Sequence, residues 1–372
     1  MEFTVSRSEL VRELGLSQGV VEKKTTIPIL SNVLVEADTD RIVLTATDLE
    51  LGIRCSCSAR VSKPGSGTIP AKKLLDYVRL LPDSDIQVKI GDNQWASLVC
   101  GRSRTRIAGM SRESFPELPE MSEVLADIPV KLLAGMIQKT IFAISAEESR
   151  FTLNGAQLIV RPEGLAMVAT DGHRLALVEE NVSVSSNGGT YKALLPRKAM
   201  QEILKLAGES DDDSTLRFSG DDNHLFFELG ERLLLSRKLT GNFPDYERVL
   251  PKEHPHTITL PRSDLRGAIE RVSQFADERS RAIRMQLFPG EVKVRAASTD
   301  TGESEETLPI EYDGPQVDIG FNAQYMLEFL RAVNSDEVRF LFRDPQSAGE
   351  LQPIAPEGST ENYRYVIMPM RI

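Results

Sequence analysis

Apolar and polar positions alternate with a period of two over much of this chain. Phe3-Thr4-Val5 opens it, and residues 29–37, 41–47, 51–59, 86–90, 95–100 and 104–108 continue the pattern. That period predicts half-buried β-strands, because successive side chains point to opposite faces. The period lengthens to helical spacing over 6–18, 70–81, 129–144, 196–207, 261–275 and 322–333, which predicts six helices. Near the middle, Leu165, Met167 and Val168 lead into Thr170-Asp171-Gly172-His173-Arg174-Leu175, and Ala176-Leu177-Val178 follows. A polar turn between two strands is the expectation there, with Gly172 at its tightest point.

The chain also resembles itself. Gly67-Thr68-Ile69-Pro70-Ala71-Lys72-Lys73-Leu74-Leu75 returns as Ala193-Leu194-Leu195-Pro196-Arg197-Lys198-Ala199-Met200 and as Ile319-Gly320-Phe321-Asn322-Ala323-Gln324-Tyr325-Met326. Pro70, Pro196 and Asn322 are spaced by 126 residues twice. Thr47-Asp48, Thr170-Asp171 and Thr299-Asp300 keep nearly that period, and Phe115-Pro116 recurs as Phe243-Pro244. A repeat of this length has the size of a domain, not of a solenoid unit. Three similar α+β domains are expected, 1–123, 124–252 and 253–372, each with two helices on antiparallel sheets, joined by Pro-rich connectors. Pro70 and Pro196 are expected in the first turn of their helices, where a missing N–H is harmless.

Composition changes the picture mainly through charge. The 372 residues are 41% hydrophobic and 27% charged, with a net charge of −11, enough for two or three cores and superficially unsuited to nucleic acid. Yet the six predicted helices hold fourteen Lys and Arg against seven Asp and Glu, leaving −18 elsewhere. Helices lining one surface would make a basic face and an acidic back. Lys72-Asp76-Arg79, Lys198-Glu202-Lys205 and Gln324-Glu328-Arg331 repeat one stripe per second helix, spaced to share a face. The plainer reading is a set of solvated faces with internal ion pairs. No recognition-helix pattern is present, so sequence-specific base reading is not expected. No apolar run approaches a membrane span, and Met1-Glu2-Phe3 begins a strand instead of a signal peptide, so a cytoplasmic location is expected. Cys55, Cys57 and Cys100 form neither a disulfide framework nor a zinc pattern, and are expected as buried free thiols.

Asp171 and His173 are the one pair that invites a chemical reading, as an acid/base couple or two metal ligands of a metal-assisted hydrolase. A hydrogen-bonded Asp-Gly turn is the commoner meaning of that pattern. His224, His254 and His256 offer no metal spacing. Another alternative is an oligomeric scaffold that never meets DNA.

Several segments, in order and within the repeat, match one family. They are Thr26-Ile27-Pro28-Ile29-Leu30-Ser31-Asn32, Leu44-Thr45-Ala46-Thr47-Asp48-Leu49-Glu50, Leu153-Asn154-Gly155, Ala169-Thr170-Asp171-Gly172-His173-Arg174-Leu175-Ala176, Asn242-Phe243-Pro244-Asp245-Tyr246 and Met368-Pro369-Met370-Arg371. Over essentially its full length the chain resembles the bacterial DNA polymerase III beta subunits, the sliding clamps. The resemblance implies a non-catalytic processivity factor of DNA-clamp fold without cofactor or metal, forming a head-to-tail homodimer ring around duplex DNA. It implies sequence-independent DNA contact and partners that include the replicative polymerase catalytic subunit, the clamp-loader complex, translesion polymerases and mismatch-repair proteins, with no membrane. It implies a partner-peptide groove of Leu153, Thr170, Gly172, His173, Arg174, Leu175, Pro244, Arg248, Val249, Val366, Ile367, Met368, Pro369, Met370 and Arg371. Lys24, Lys72, Lys73, Arg79, Lys198 and Lys205 would face DNA, while Glu147 occupies a family DNA-contact position. Ile107 and Phe275 would pack across the dimer, with Glu303, Glu305 and Glu306 facing Lys73. Residues 344–361 depart most from the family. Apart from the family, flexible, polarizable Met368 and Met370 suit a surface that adapts to different peptides.

Overall fold

The computed structural model describes residues 1–21, 26–182, 184–186, 189–300 and 302–371. Lys24 lies outside the described residues. These residues form six α-helices: α1 (Arg7–Val20), α2 (Ala71–Leu80), α3 (Val130–Thr140), α4 (Arg197–Gly208), α5 (Arg262–Val272) and α6 (Ala323–Ala332). α3 and α5 end earlier than their sequence pattern, because the 3-10 turns Ile141–Ala143 and Ser273–Phe275 take over the last residues. None of the described helices is long and apolar enough to cross a membrane.

The repeat is visible in the ladders. Strand Asn32–Asp38 pairs with Gly65–Pro70, Gly155–Arg161 with Tyr191–Pro196, and Ala282–Phe288 with Val317–Asn322. The registers Asn32 to Pro70, Gly155 to Pro196 and Ala282 to Asn322 place the third copy like the first two. The prolines are not first-turn helix residues as expected: Pro70 and Pro196 are the last residues of their strands, and Pro70 caps α2. Proline holds the residue before it extended, which carries the strand straight to the helix. In the third copy the Asn322 side chain does the capping, accepting from the N–H groups of Gln324 (2.9 Å) and Tyr325 (3.3 Å).

The chain divides into two compact units. Residues 1–134, 185–187 and 198–238 form the first; 135–184, 188–197 and 239–372 form the second. The middle third of the sequence is therefore shared between them. In the first unit, strand Arg232–Arg237 pairs with Leu51–Lys63, bringing Val124–Pro129, Thr215–Gly220 and His224–Leu229 into one sheet with the N-terminal strands. In the second, Arg174–Glu180 pairs with Glu361–Ile367 in an eight-stranded sheet. A four-stranded sheet from Ala282 to Asn322 completes that unit. Leu14, Ile42, Leu44, Ile53, Phe218, Phe226 and Phe227 fill the first core; Phe321, Phe329, Phe340, Phe342 and Tyr365 fill the second. The three cysteines are buried and free.

One ion pair inside the first core is poised to respond to acid. Glu13 of α1 receives Arg232 Nε at 2.9 Å and Nη2 at 2.7 Å, with Arg12 Nε at 2.8 Å. Burial alone would raise the Glu13 pKa, but the Arg232 and Arg12 guanidiniums outweigh it and hold the carboxyl below its ordinary value. A carboxyl depressed on folding contributes stability above its unfolded pKa of about 4.3, and that contribution is lost as pH falls through the folded value. Glu13→Gln is therefore expected to cost about 1–3 kcal/mol at neutral pH. The gap from the parent should close in strongly acidic solution, as read by urea titrations across pH; a gap that persists there would refute the assignment.

Candidate partner-binding groove

The side chains of Thr170 and Asp171 hydrogen-bond the backbone of the central turn itself. Thr170 Oγ1 donates to the Arg174 carbonyl (2.6 Å) and accepts from Gly172 N (3.1 Å). Asp171 Oδ1 accepts from His173 N (2.9 Å) and Arg174 N (3.0 Å). Gly172 sits at φ +89°, in the left-handed region that a side chain disfavours. The first repeat builds the same turn: Thr47 Oγ1 donates to the Leu51 carbonyl and accepts from Leu49 N, and Asp48 Oδ1 accepts from Glu50 N and Leu51 N. There the left-handed residue is Leu49, at φ +77°.

Arg174 is the centre of this site and is buried, with 8% of its surface exposed. Its Nε donates to Asp171 Oδ2 (3.0 Å), Nη2 to the Phe142 carbonyl (2.6 Å), and Nη1 to Glu328 of α6. The guanidinium lies 4.1 Å from the Tyr325 ring centroid and 5.5 Å from that of Phe142. Burial opposes its charge, yet Tyr365 and Glu328 more than offset this and leave its pKa above the ordinary arginine value. Arg174 is thus a strut beneath the surface, supporting the groove from below. Asp171 spends Oδ1 on two backbone N–H groups and Oδ2 on Arg174, which leaves it a turn-former. Among the described residues no cluster of three or more His, Cys, Asp or Glu is arranged to hold a metal.

Around this turn the second unit gathers the other expected groove residues. Strand Glu361–Ile367 aligns Ile367 with Arg174 and Val366 with Leu175. Beyond it, Met368 N donates to the His173 carbonyl (2.9 Å) and Met370 N to the Gly320 carbonyl (2.8 Å), so the tail is anchored on both sides. Leu175, Leu177, Val366 and Tyr246 belong to one apolar cluster, with Phe243 and Leu250 packed against it. Arg150 Nη1 donates to the Asp171 carbonyl (2.9 Å) and thereby ties the Leu153 loop to the turn. Over this floor Val249 is 48% and Met368 43% exposed, and His173, Gly172, Pro244, Arg248 and Arg371 are exposed as well. Leu153, Pro369 and Met370 are half-buried. Thr170, Leu175, Val366 and Ile367 are buried, so they support the surface from below instead of facing a ligand directly. An apolar floor with a flexible methionine and a polar rim suits an extended peptide with apolar anchors.

Sequence reasoning missed Tyr325, Phe142 and Arg150. It placed Glu328 in the repeated stripe Gln324-Glu328-Arg331 of α6, and in the structure the Glu328 carboxylate accepts from Arg174. The spacing of Tyr325 and Glu328, three apart on one helix face, was the available signal.

The remaining basic candidates lie on exposed helix positions. Lys72 pairs with Asp76 (2.5 Å), Lys198 with Asp48, and Lys205 with Glu202 (2.6 Å), while Lys73 and Arg79 are exposed on α2. Glu202 is 4% exposed. Its charge is drawn inward, leaving lysine on the surface of α4.

Two strands end their sheets. Ser103–Ala108 is the last strand of the first unit's sheet, with Arg104 and Arg106 exposed; Gly302–Pro309 ends the four-stranded sheet, with Glu303 and Glu305 exposed. Arg106 also lies 5.0 Å from the ring of Trp95, the one tryptophan. Ile107 is 7% exposed and so contributes mainly to its own core, and Phe275 is half-buried. Glu305 pairs with Lys293 and Arg295, Glu303 with Arg295, and Glu306 with Arg271. The acids expected opposite Lys73 therefore already have partners in their own chain.

Comparison with known proteins shows the family. Residues 1–119, 127–245 and 247–371 match, in turn, the N-terminal, central and C-terminal domains of the DNA polymerase III beta subunit. The beta sliding clamp of Caulobacter vibrioides is 35% identical over 381 residues and that of Pseudomonas putida 34% over 375, each match covering 100% of both chains. The crystal structure of the DNA polymerase III subunit beta from Pseudomonas aeruginosa has a TM-score of 0.93 at 33% identity, covering 100% of both chains. The sliding clamp of Bacillus subtilis reaches 0.93 at 25% identity, covering 100% of this chain and 99% of the other. The fold is the three-domain clamp fold, and the chain belongs to the DNA polymerase III beta subunit family, the beta sliding clamps.

Proposed function

We propose that this chain works as a DNA sliding clamp by closing head to tail with a second copy around duplex DNA and holding its partners through the groove at His173 and Met368. The full-length family match carries this reading. The clamp role is non-catalytic: Asp171 is consumed by its turn, and the family match leaves the hydrolase and the DNA-free scaffold without support.

Ring closure in this reading joins the two terminal strands. An unpaired strand edge is a template for another strand. Ser103–Ala108 offers Arg104 and Arg106, Gly302–Pro309 offers Glu303 and Glu305, and different surfaces on the two partners make a heterologous contact that closes into a ring. The glutamates keep their own-chain arginines while gaining those of the second copy. Lys73 facing Glu305 and Ile107 packing with Phe275 are proposed beside this strand contact.

Lys72, Lys73, Arg79, Lys198 and Lys205 are the proposed DNA-facing set. Their exposed ammonium and guanidinium groups attract phosphates without reading bases, and weak contacts let the protein slide while topology prevents escape. Partners proposed for the groove are the replicative polymerase catalytic subunit, the clamp loader, translesion polymerases and mismatch-repair proteins. The proposed compartment is the cytoplasm, and the proposed domain limits are 1–123, 124–252 and 253–372.

The test is retention. Clamp loaded on nicked circular DNA should stay bound at a salt concentration that strips simple electrostatic binders, and should leave within seconds of linearisation. Equal retention on both forms would sink topological linkage.

A further inference from the structure

Next to the Pro244–Leu250 segment a polar cluster closes around a buried carboxylate. Glu350 is 0% exposed, yet its carboxylate accepts four hydrogen bonds. Oε1 takes Arg364 Nε (2.6 Å) and Gln352 Nε2 (2.6 Å); Oε2 takes Arg364 Nη2 (2.7 Å) and lies 2.9 Å from His254 Nε2. Arg364 Nη2 also donates to the Pro251 carbonyl at 3.0 Å. Glu350 stands on strand Gly349–Pro353, and Arg364 on the strand that carries the tail. Glu350 and Gln352 fall in 344–361, the stretch expected to depart most from the family pattern.

The segment it grips is the groove wall. From Phe243 to Pro255 the chain has no strand and only the 3-10 turn Tyr246–Arg248. Val249 N and Leu250 N donate to the Tyr246 carbonyl, Tyr246 enters the apolar cluster, Arg248 pairs with Asp245 (2.7 Å), and Glu253 accepts from the exposed Arg343 (3.4 Å). Its second anchorage is Pro251 and His254, held by Arg364 and Glu350. A buried ion pair adds little net stability over apolar side chains of the same volume. What it supplies here is direction, since the Arg364 fork meets the carboxylate with two donors while one of them also holds a carbonyl. Burial would raise the Glu350 pKa, but Arg364, Gln352 and His254 leave it below its ordinary value, so the carboxylate stays charged.

We infer that Glu350, Arg364 and His254 are positioning residues that set the Pro244–Leu250 wall and thereby the affinity of the groove for peptide. This rests on the groove reading above. Holding a wall in its bound position lowers the ordering cost of association, and such gains appear mainly in the off-rate.

The test uses the full-length chain and a fluorescein-labelled peptide derived from the replicative polymerase of the same cells. Glu350→Leu with Arg364→Met exchanges the ion pair for apolar packing. This double variant should keep a melting temperature close to the parent's, yet bind peptide at least tenfold more weakly through a faster off-rate. Amide exchange at Val249 and Leu250 should accelerate by a similar factor. Unchanged affinity and unchanged exchange would overturn the inference. If the double variant does not fold, Arg364→Lys decides by the same two readings, because lysine keeps the charge but cannot bridge Glu350 and Pro251 as a fork. A parent chain that ignores the peptide would strike the groove reading, and the exchange rates would still decide whether the cluster positions the wall.

Discussion

Arg174→Ala is expected to destabilise the second unit by about 3–5 kcal/mol, the usual consequence of removing one partner from a buried charge cluster. Asp171 Oδ2, the Phe142 carbonyl and Glu328 would each lose a donor together, in a site where Arg174 is only 8% exposed. The face-on contact with Tyr325 would go as well. Because strand Arg174–Glu180 carries the tail strand beside it, the loss should spread to the whole groove. Amide exchange along 174–180 is therefore expected to accelerate by about 10²–10⁴-fold, given about 1.4 kcal/mol per decade. Arg174→Lys should fall between, since it retains charge without the fork or the planar stacking surface. His173→Ala, one residue away but exposed, should leave exchange unchanged while weakening peptide binding. Exchange in Arg174→Ala indistinguishable from the parent would show that the strut carries no stability.

Reversing the charge of the basic edge should open the ring. With Arg104→Glu and Arg106→Glu together, the terminal strand of the first unit would present acids to Glu303 and Glu305 of the second copy. Like charges placed opposite one another at a partly desolvated contact cost several kcal/mol, enough to shift a dimer by three or more decades in dissociation constant. Sedimentation at micromolar concentration should then give the mass of a single 41.3 kDa chain. Neither arginine is buried, so each unit should keep its stability and the groove its peptide affinity. Retention on nicked circular DNA should vanish with the dimer. The double variant sedimenting as a dimer would remove the edge-to-edge junction. Trp95 offers an independent signal, because its ring lies against Arg106.

These expectations draw unequally on what the sequence shows. Strand alternation, the six helices and the repeat marked by Pro70, Pro196 and Asn322 are local, since each is a matter of which side chains share a face within a few residues. The turn at Thr170–Leu175 was legible for the same reason: Thr, Asp and Gly satisfy their own backbone within five residues, and the first repeat does so again at Thr47–Leu51. The groove's location came from resemblance. Which of its residues face outward did not, because exposure depends on what covers a side chain from far along the chain. Arg174 and Met368 look equally available in sequence, yet one is buried under α6 and the other is 43% exposed.

By itself the sequence determined the local elements, their order and the threefold period, because propensity, turn chemistry and side-chain periodicity act over short spans. It also determined the excess of positive charge on the helices, which is a count. Only the tertiary structure decided that the middle third is divided between two units, through the pairing of Arg232–Arg237 with Leu51–Lys63 and of Arg174–Glu180 with Glu361–Ile367. It alone brought Glu328 to Arg174 across 154 positions and Glu350 to His254 across 96. Buried charges must find partners wherever the fold supplies them, and no period in the sequence records distances of that kind.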